Sequence, residues 1–234
     1  MMSKLNQAFP CFSKEMLVDT PREVSEALLE KGVCYITGYE HLSAQVFEEY
    51  ECLGQYPDGT IKVLSTTKAK VSQPNIYSIL FAPEFKEIKR RVLGKLFKDE
   101  IEIFCQHTGP SEVPTSGHLH FDKRFTFKSW YYLNDIGLSN GPMRVVPLDR
   151  CEEFSPIALR RKFGTRNLFK GSQHAASIEA NKLLEPAAEH VTGPKGTLFL
   201  HITEAWHGAS PVLPGFERKI IRGHSRRFSD YFIR

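Results

Sequence analysis

Two histidines, one aspartate and one arginine carry the chemistry that this sequence suggests. His120 and Asp122 form a His-x-Asp triplet, His207 lies far downstream, and Arg218 follows eleven residues later. Two imidazoles and one carboxylate can occupy one face of an octahedral Fe(II) ion and leave three positions open. An arginine offers a planar pair of donors that binds a carboxylate through two hydrogen bonds. The sequence therefore predicts a non-haem metal site with a carboxylate-binding group beside it.

The spacing of the triplet favours metal binding if it lies on a strand. Residues i and i+2 of a strand point to the same side, so His120 and Asp122 would face the metal and Phe121 would point away. His118 would share the face of His120 and compete with it. We prefer His120 as the ligand, because it has an aspartate at the required spacing.

The second histidine ligand also has a competitor. His201 lies on a predicted apolar strand, and His207 lies just beyond that strand. We prefer His207, because the small residues Gly208 and Ala209 that follow it allow close approach. Arg218 also follows His207 at the expected distance, on the next predicted strand.

Length and composition limit the class of protein. A chain of 234 residues suits one domain with a full hydrophobic core. Its net charge of +4, with acids and bases interspersed, makes a nucleic-acid partner unlikely on charge grounds. No apolar run approaches a transmembrane length, and the first residues lack the core of a signal peptide. Five scattered cysteines without a Cys-x-x-Cys pair favour reduced thiols and a cytoplasmic location.

Helical patterns come first in the chain, and strand patterns follow. Hydrophobic periodicity and capping residues predict helices over 20–31, 43–53 and 83–98, with a strand over 33–39. Further strands are predicted over 101–106, 119–122, 125–133, 143–147, 197–202 and 218–224. Possible helical pieces lie at 156–163 and 177–184.

This order of elements predicts an all-β core with flanking helices. A double-stranded β-helix, or cupin-like jelly roll, fits because it gathers residues from distant strands around one mouth. We expect a single domain over 1–234, with a helix-rich buttress over 1–99 and the jelly-roll core over 100–234. A lid-like insert is expected at about 151–190.

The strand predicted over 125–133 adds three candidates for the pocket. Lys128, Trp130 and Tyr132 share one face by alternation. The alternative is that they are ordinary core residues. That alternative is strong for Tyr132 and weaker for Lys128, because a lysine is rarely buried without a partner.

The joint pattern resembles the phytanoyl-CoA dioxygenase-like family of Fe(II)/2-oxoglutarate oxygenases. The resemblance covers about 105–225 and includes the triplet, the Asn-Gly-Pro-Met-Arg-Val-Val-Pro of 140–147, the Gly-Thr-Leu-Phe-Leu of 196–200, the His-Gly-Ala of 207–209, and the later arginine. It implies that His120, Asp122 and His207 hold iron, that Arg218 binds the C5 carboxylate of 2-oxoglutarate, and that Trp130 lines the pocket.

The sequence departs from the family pattern on the substrate side. Leu148, Asp149 and Arg150 replace the usual Gly-Ser-His, and an asparagine that often follows the distal histidine is absent. The C1 carboxylate of 2-oxoglutarate needs its own donor. Gln106 and His107 are candidates for this role, and Ser210 is a candidate to assist the arginine.

The resemblance also implies an activity. Fe(II), 2-oxoglutarate and O2 would oxidise a C–H bond of a small molecule, with succinate and CO2 as co-products. With a carboxylate at Asp122, hydroxylation is the expected outcome, while desaturation and cyclisation remain open. The compact length and the insert suggest a tailoring enzyme of specialised metabolism. Basic residues near the presumed mouth suggest an anionic group on its substrate. These residues are Lys123, Arg124, Lys128 and Arg144.

Two other functions stay open at this point. A cupin-like hydrolase or isomerase with Zn²⁺ or Mn²⁺ could use the same three ligands, although it would not need Arg218. A non-catalytic barrel could instead bind RNA or phosphate through the basic segment 218–227.

Overall fold

A computed structural model describes residues 7–54, 61–110, 118–151, 154–163, 174–175 and 182–227. In these ranges the helices are α1 (Lys14–Asp19), α2 (Pro21–Lys31), α3 (Ser43–Glu51), α4 (Thr66–Ser72), α5 (Pro74–Leu80), α6 (Phe85–Leu93) and α7 (Pro156–Phe163). The strands are β1 (Cys11–Ser13), β2 (Val33–Thr37), β3 (Ile61–Ser65), β4 (Phe97–Thr108), β5 (Phe121–Asp122), β6 (Thr126–Tyr132), β7 (Met143–Val145), β8 (His174–Ala175), β9 (Glu189–Val191), β10 (Leu198–Ile202), β11 (His207–Ala209) and β12 (Arg218–Arg227).

Seven of these strands form the major sheet, in the order β1-β2-β10-β6-β12-β4-β3. Its neighbouring strands are antiparallel except for the short parallel pair β1 and β2. A minor sheet has the order β11-β7-β9, and β5 pairs with β8. Strands β1 and β2 are neighbours in both the chain and the sheet, as are β3 and β4. The central order β2-β10-β6-β12-β4 joins strands that are far apart in the chain, as in a jelly roll.

The predicted fold class, a jelly-roll core with flanking helices, is confirmed. The large mixed sheet carries helices on one side and the smaller sheet on the other. Over the described ranges the two sheets do not close into a continuous barrel.

Strand β6 lies at the centre of the major sheet, and every one of its residues is buried. Such a strand must be covered on both faces. Phe127 and Tyr131 join the large apolar cluster under the helices. Trp130 and Tyr132 join a second cluster with Phe199, Val145 of the minor sheet and others between the sheets. The helix side stabilises the fold, and the other side faces the site.

Helix α5 packs closely on β12 because that strand has a glycine at the contact. A Cβ atom built on Gly223 would lie 2.8 Å from Phe81 Cζ and 3.0 Å from Leu80 Cβ. Any larger side chain would push the helix away from the sheet. The glycine therefore sets how closely the helical layer supports the strand that carries Arg218.

The predicted helix over 83–98 is too long at its C-terminal end. Helix α6 ends at Leu93, because Gly94 has φ 93° and ψ 176°, which no helix can accommodate. The chain then enters β4 at Phe97, four residues before the strand predicted from 101. Leu96, which lies within the predicted helix, is 75% exposed.

The N-terminal part contributes strands as well as helices. It supplies β1 and β2 at one edge of the major sheet and β3 at the other. Of these, only β2 was predicted, because β1 has three residues and β3 has exposed apolar residues at alternate positions. In the insert, α7 matches the helix predicted over 156–163, whereas most of 177–184 lies outside the described residues.

The structure shows the state of the cysteines and the length of the described helices. All five cysteines are free thiols, and Cys34, Cys105 and Cys151 are buried. In the described part of the chain, no helix is both long and apolar enough to span a bilayer.

Candidate metal centre

The two histidine ligands are brought together by backbone pairing. The His120 N–H donates to the His207 carbonyl oxygen at 2.9 Å, and the His207 N–H donates to the His120 carbonyl oxygen at 2.8 Å. Their rings lie with centroids 4.5 Å apart. Residues 87 positions apart in the chain are thus held side by side by two main-chain hydrogen bonds, and the pair does not depend on a metal for its position.

Asp122 completes a cluster that can hold one ion. Its Oδ1 atom lies 4.0 Å from His120 Nε2 and 3.8 Å from His207 Nε2. An ion about 2.0–2.2 Å from each ligand atom joins atoms up to about 4.4 Å apart. Among the described residues, these three form the cluster of histidine and acidic side chains suited to a metal.

Both histidines are held in the tautomer that a metal requires. His120 Nδ1 lies 2.9 Å from the His118 carbonyl oxygen, and His207 Nδ1 lies 2.9 Å from the Ala205 carbonyl oxygen. A carbonyl only accepts, so each Nδ1 carries the proton and each Nε2 keeps its lone pair. Burial also holds the pKa of His207 well below its usual value, which keeps the ring neutral.

Aromatic packing behind the ligands fixes both segments. Phe121 points away from the metal side, as predicted, and meets the edge of Trp206 at a centroid distance of 5.0 Å. Trp206 immediately precedes His207, and its Nε1 donates to the Phe154 carbonyl oxygen at 2.7 Å. The residues next to two ligands therefore pack on each other, so the ligand geometry is anchored in the core.

The competing histidines take other positions. The side chain of His118 is exposed, and only its carbonyl oxygen contacts a ligand, His120. His201 is fully buried, with its ring against that of His207 at 4.6 Å. Neither ring nitrogen of His201 has a hydrogen-bond partner among the described residues. It therefore lines the site without joining the three-residue cluster.

Lys128 contacts the metal-ligand carboxylate directly. Its Nζ lies 2.9 Å from Asp122 Oδ2, and its side chain is only 8% exposed. Burial lowers the pKa of the ammonium group, and the Asp122 carboxylate opposes that shift. Lys128 was predicted in the substrate pocket, and the structure places it behind the aspartate ligand.

An aromatic and basic surface, called here the floor of the site, lies next to Lys128. It consists of Trp130 on β6, Phe104 on β4, and Arg222 and His224 on β12. The Arg222 guanidinium lies 5.1 Å from the ring of Trp130 and 5.1 Å from that of Phe104. The His224 ring stacks on Phe104 at 4.8 Å. The indole N–H of Trp130 is buried without a partner in the described part of the chain, so it is available to a ligand.

Arg218 lies inside the molecule with an unusually small set of partners. It is 6% exposed, and its Nη1 donates to the Gly141 carbonyl oxygen at 2.5 Å. Within the described ranges its Nε has no acceptor, and no carboxylate forms an ion pair with it. Burial lowers the pKa of the guanidinium, the direction expected for an uncompensated charge. A buried arginine of this kind calls for an anion.

Ser210 lies beside Gly141, whose carbonyl oxygen accepts a hydrogen bond from Arg218. A Cβ atom on Gly141 would come within 2.8 Å of the Ser210 carbonyl oxygen, so this glycine, with φ 68°, lets the two segments meet. The Ser210 hydroxyl is buried and has no partner among the described residues. Tyr132, on the neighbouring strand, donates its hydroxyl to the Val191 carbonyl oxygen at 2.6 Å and is therefore already satisfied.

Gln106 and His107, the two candidates on β4, lie on opposite faces of the strand. Gln106 pairs in register with Ile220, so it shares the face of Arg218 and donates to Thr108 Oγ1 at 3.0 Å. His107 lies on the opposite face, where its Nε2 is 2.9 Å from Glu217 Oε2. The structure therefore does not bring His107 to the metal, because alternation turns it away.

The basic residues predicted near the mouth of the site lie in two different places. Lys123 and Arg124 follow Asp122 directly, in the turn before β6, and are half-buried. Arg144 lies on the opposite face of β7 from Val145, the register partner of His207, and forms an ion pair with Glu185. Arg144 therefore does not face the metal ligands.

Sequence reasoning missed Phe104, Arg222 and His224 as site residues. The signal was present for two of them: alternation from Arg218 along a predicted strand places 222 and 224 on its face. Their charges suggested solvent instead. Phe104 gave no signal of its own, because an apolar residue on a strand is usually core.

The comparisons with known proteins agree with this geometry. The profile of the phytanoyl-CoA dioxygenase (PhyH) family matches residues 40–220. No curated protein matches the sequence.

Solved structures with similar folds have low sequence identity to this chain. HygX from Streptomyces hygroscopicus with nickel and 2-oxoglutarate bound has a TM-score of 0.61 at 14% identity, over 88% of this chain and 87% of that one. The epimerase SnoN in complex with Fe3+, alpha ketoglutarate and nogalamycin RO has a TM-score of 0.57 at 13% identity, over 88% and 82%. The non-heme monooxygenase ThoJ in its apo form has a TM-score of 0.55 at 14% identity, over 87% and 77%.

Proposed function

Because this chain belongs to the phytanoyl-CoA dioxygenase family, we propose that it oxidises a C–H bond of a small anionic molecule with Fe(II), 2-oxoglutarate and O2. Family membership and the His-Asp-His cluster confirm the predicted enzyme class and its cofactors. The reaction, the substrate and the roles of individual residues are the proposal.

The residues present fit both groups that the family uses. His120, Asp122 and His207 would hold Fe(II) through two neutral imidazoles and one carboxylate. At the other end, Arg218 and Ser210 offer buried donors that have no partner among the described residues. A dicarboxylic acid such as 2-oxoglutarate needs a metal at one end and a cationic donor at the other.

The observation that carries the proposal is that Arg218 is buried and has no carboxylate partner among the residues that the structure describes. A hydrolase or isomerase with Zn²⁺ or Mn²⁺ could use the same three ligands. It would have no need for a second anion site inside the fold, and leaving a guanidinium buried without a counter-charge costs stability. The arginine therefore favours a dicarboxylate co-substrate over the hydrolase alternative.

When bound, Fe(II) and 2-oxoglutarate supply oxidising power, because decarboxylation to succinate and CO2 is coupled to activation of O2. The chain's own residues provide the rest. The fixed tautomers present two nitrogen lone pairs, Arg218 orients the co-substrate, and the packed aromatic clusters keep water from the metal side. In hydroxylation one oxygen atom of O2 enters the alcohol and the other enters succinate.

An anionic substrate fits the charges on the floor of the site. Arg222 is held between two rings. Burial lowers the pKa of Lys128 and His224, and the nearby cations Arg222 and Arg226 lower it further. Lys123 and Arg124 lie in the turn between Asp122 and β6. Arg144 is left out of this proposal, because it is paired with Glu185 on the opposite face.

The basic C-terminal segment is less suited to RNA than its sequence suggests. Arg218 and His224 are buried on the site face of β12. Arg226 donates to Thr126 Oγ1 at 3.1 Å, and the Arg227 guanidinium lies 4.3 Å from the Phe125 ring. Arg218, His224 and Arg226 are thus turned into the fold and Arg227 is exposed, so the described part of this segment forms no extended basic surface. A cytoplasmic location remains part of the proposal and fits the five free thiols.

Anaerobic titration tests the proposal directly. Adding Fe(II) and then 2-oxoglutarate to the metal-free protein should produce the weak visible charge-transfer band of the chelate. The band should be lost in His207→Ala and kept in His118→Ala, whose exposed side chain is the matched control.

Other outcomes would point elsewhere. Fe(II) binding without the band would favour the hydrolase or isomerase. Absence of both, together with salt-dependent RNA binding, would favour a non-catalytic module. If turnover with a candidate substrate forms succinate but adds no oxygen atom to the product, the enzyme oxidises without hydroxylating.

A further inference from the structure

The two oxygen atoms of the Asp122 carboxylate have different partners. Oδ1 faces the Nε2 atoms of His120 and His207, at 4.0 and 3.8 Å. Oδ2 accepts a hydrogen bond from Lys128 Nζ at 2.9 Å. A carboxylate can bind a metal through one oxygen or through both. Here the second oxygen is already engaged by a donor that cannot share it with a cation.

Lys128 is firmly held in this position. It lies in the central strand β6, where its register partners are His201 on β10 and His224 on β12. Both of these neighbours are buried, and both flank Lys128 on the site face of the sheet. An ammonium group in such a place needs a counter-charge, and Asp122 is the carboxylate in contact with it. Turning Oδ2 toward the metal would break that contact.

We propose that Lys128 is a positioning residue that restricts Asp122 to binding metal through one oxygen and so keeps three metal positions open. The inference rests on the metal site of the proposed function. Six positions minus three protein atoms leaves three, of which a chelating 2-oxoglutarate would use two. A two-oxygen Asp122 would leave none for O2 after the co-substrate had bound.

This role differs from a substrate contact, which the sequence suggested for Lys128. A substrate-binding lysine would change the KM for substrate without altering the metal itself. A lysine that sets how Asp122 binds changes the number of water molecules on the metal before any substrate is present. The two roles can therefore be separated with metal alone.

The experiment uses Mn(II) as the probe. Water molecules on protein-bound Mn(II) broaden its electron paramagnetic resonance lines in ¹⁷O-enriched water, and the broadening counts them. The wild-type protein should hold three water molecules, and addition of 2-oxoglutarate should reduce the count to one. Lys128→Met, which keeps the length and removes the donor, should hold two. Addition of 2-oxoglutarate to this variant should then leave none.

Two further variants make the count interpretable. Lys128→Arg keeps a cationic donor and should restore three water molecules. Lys219→Met makes the same change as Lys128→Met on β12, where Lys219 pairs with Glu217 on the opposite face from Arg218, and should also keep three.

Each outcome decides between the claims. Three water molecules on Lys128→Met would overturn the inference and leave the proposed function intact. A count of two on the wild-type protein would overturn it without reference to any variant. Failure of the wild-type protein to bind Mn(II) would overturn both the inference and the metal site on which it rests.

Discussion

The two faces of strand β6 divide the work of the molecule between alternate residues. Phe127 and Tyr131 point into the apolar cluster under the helices. Lys128, Trp130 and Tyr132 point to the other side, toward the metal ligands and the minor sheet. Both faces are equally buried, so the difference between them is chemical and not a matter of solvent access.

The site face is richer in unpartnered buried polar atoms than the helix face. Trp130 Nε1, Arg218 Nε, Ser210 Oγ and both ring nitrogens of His201 lack partners among the described residues. On the helix side, the hydroxyls of Tyr39 and Tyr131 lack partners among the same residues. Each such group costs about 1–3 kcal/mol of stability when it is left unsatisfied, and the apolar burial on the helix face can offset this cost. Substitutions on the site face should therefore affect activity most, and those on the helix face should affect stability.

The largest effect is expected at Asp122. In Asp122→Ala the metal loses its carboxylate ligand, so substrate-dependent succinate formation should be abolished. The melting temperature should also fall, because the buried Lys128 ammonium loses its counter-charge. Succinate assays and thermal unfolding check the two parts. Full retained turnover would refute the assignment of the metal site.

A substitution on the helix face should lower stability and leave metal binding intact. Phe127 is fully buried against the helices, and Phe127→Ala should lower the free energy of unfolding by about 3–5 kcal/mol. Urea denaturation measures this loss. The folded fraction should still bind Fe(II) with an affinity near that of the wild type. A stable variant with impaired metal binding would break the division between the faces.

Arg218 should show a smaller effect, confined to the co-substrate. Arg218→Met removes charged hydrogen bonds, each worth about 1.5–3 kcal/mol, so the KM for 2-oxoglutarate should rise at least tenfold. Steady-state kinetics at varied 2-oxoglutarate measures it. The variant should lose little stability, because it removes a buried, uncompensated charge. An unchanged KM would sharpen the question of which group binds the C5 carboxylate.

The smallest effect is expected at Lys123 and Arg124, in the turn between β5 and β6. Replacing Lys123 and Arg124 together with alanine should raise the KM for an anionic substrate several-fold, because half-buried charges are partly screened. The effect should shrink at high salt, which a salt series would show. The Arg150→Ala variant is a suitable control, since Arg150 pairs with Glu189 at the surface. No change in KM would count against an anionic substrate.

The sequence was sufficient to find the three clustered residues His120, Asp122 and His207, because their signal is local and chemical. The role of Arg218, inferred from its distance to His207, stays a prediction. Strand parity also placed Lys128, Trp130 and Tyr132 on one face correctly. The fold class followed from the order of helices and strands.

What the sequence lacked is information on pairing between distant segments. The contact of Lys128 with Asp122 depends on a turn of three residues, and that of Arg222 with Phe104 depends on the register of β12 and β4. His107 and Gln106 are neighbours, and only the register shows which one faces inward. The end of helix α6 was missed because apolar residues continue past Gly94 into the next strand.

The placement of the cysteines bears on how long such an enzyme would last. A centre that activates O2 in the absence of substrate releases oxidants, and thiolates are among the side chains most easily oxidised. Burial raises the pKa of the Cys105 and Cys151 thiols to about 12 and that of Cys34 higher still, so all three stay protonated and inert. Cys52 is exposed, and it should be the first thiol to be oxidised when O2 is activated without substrate.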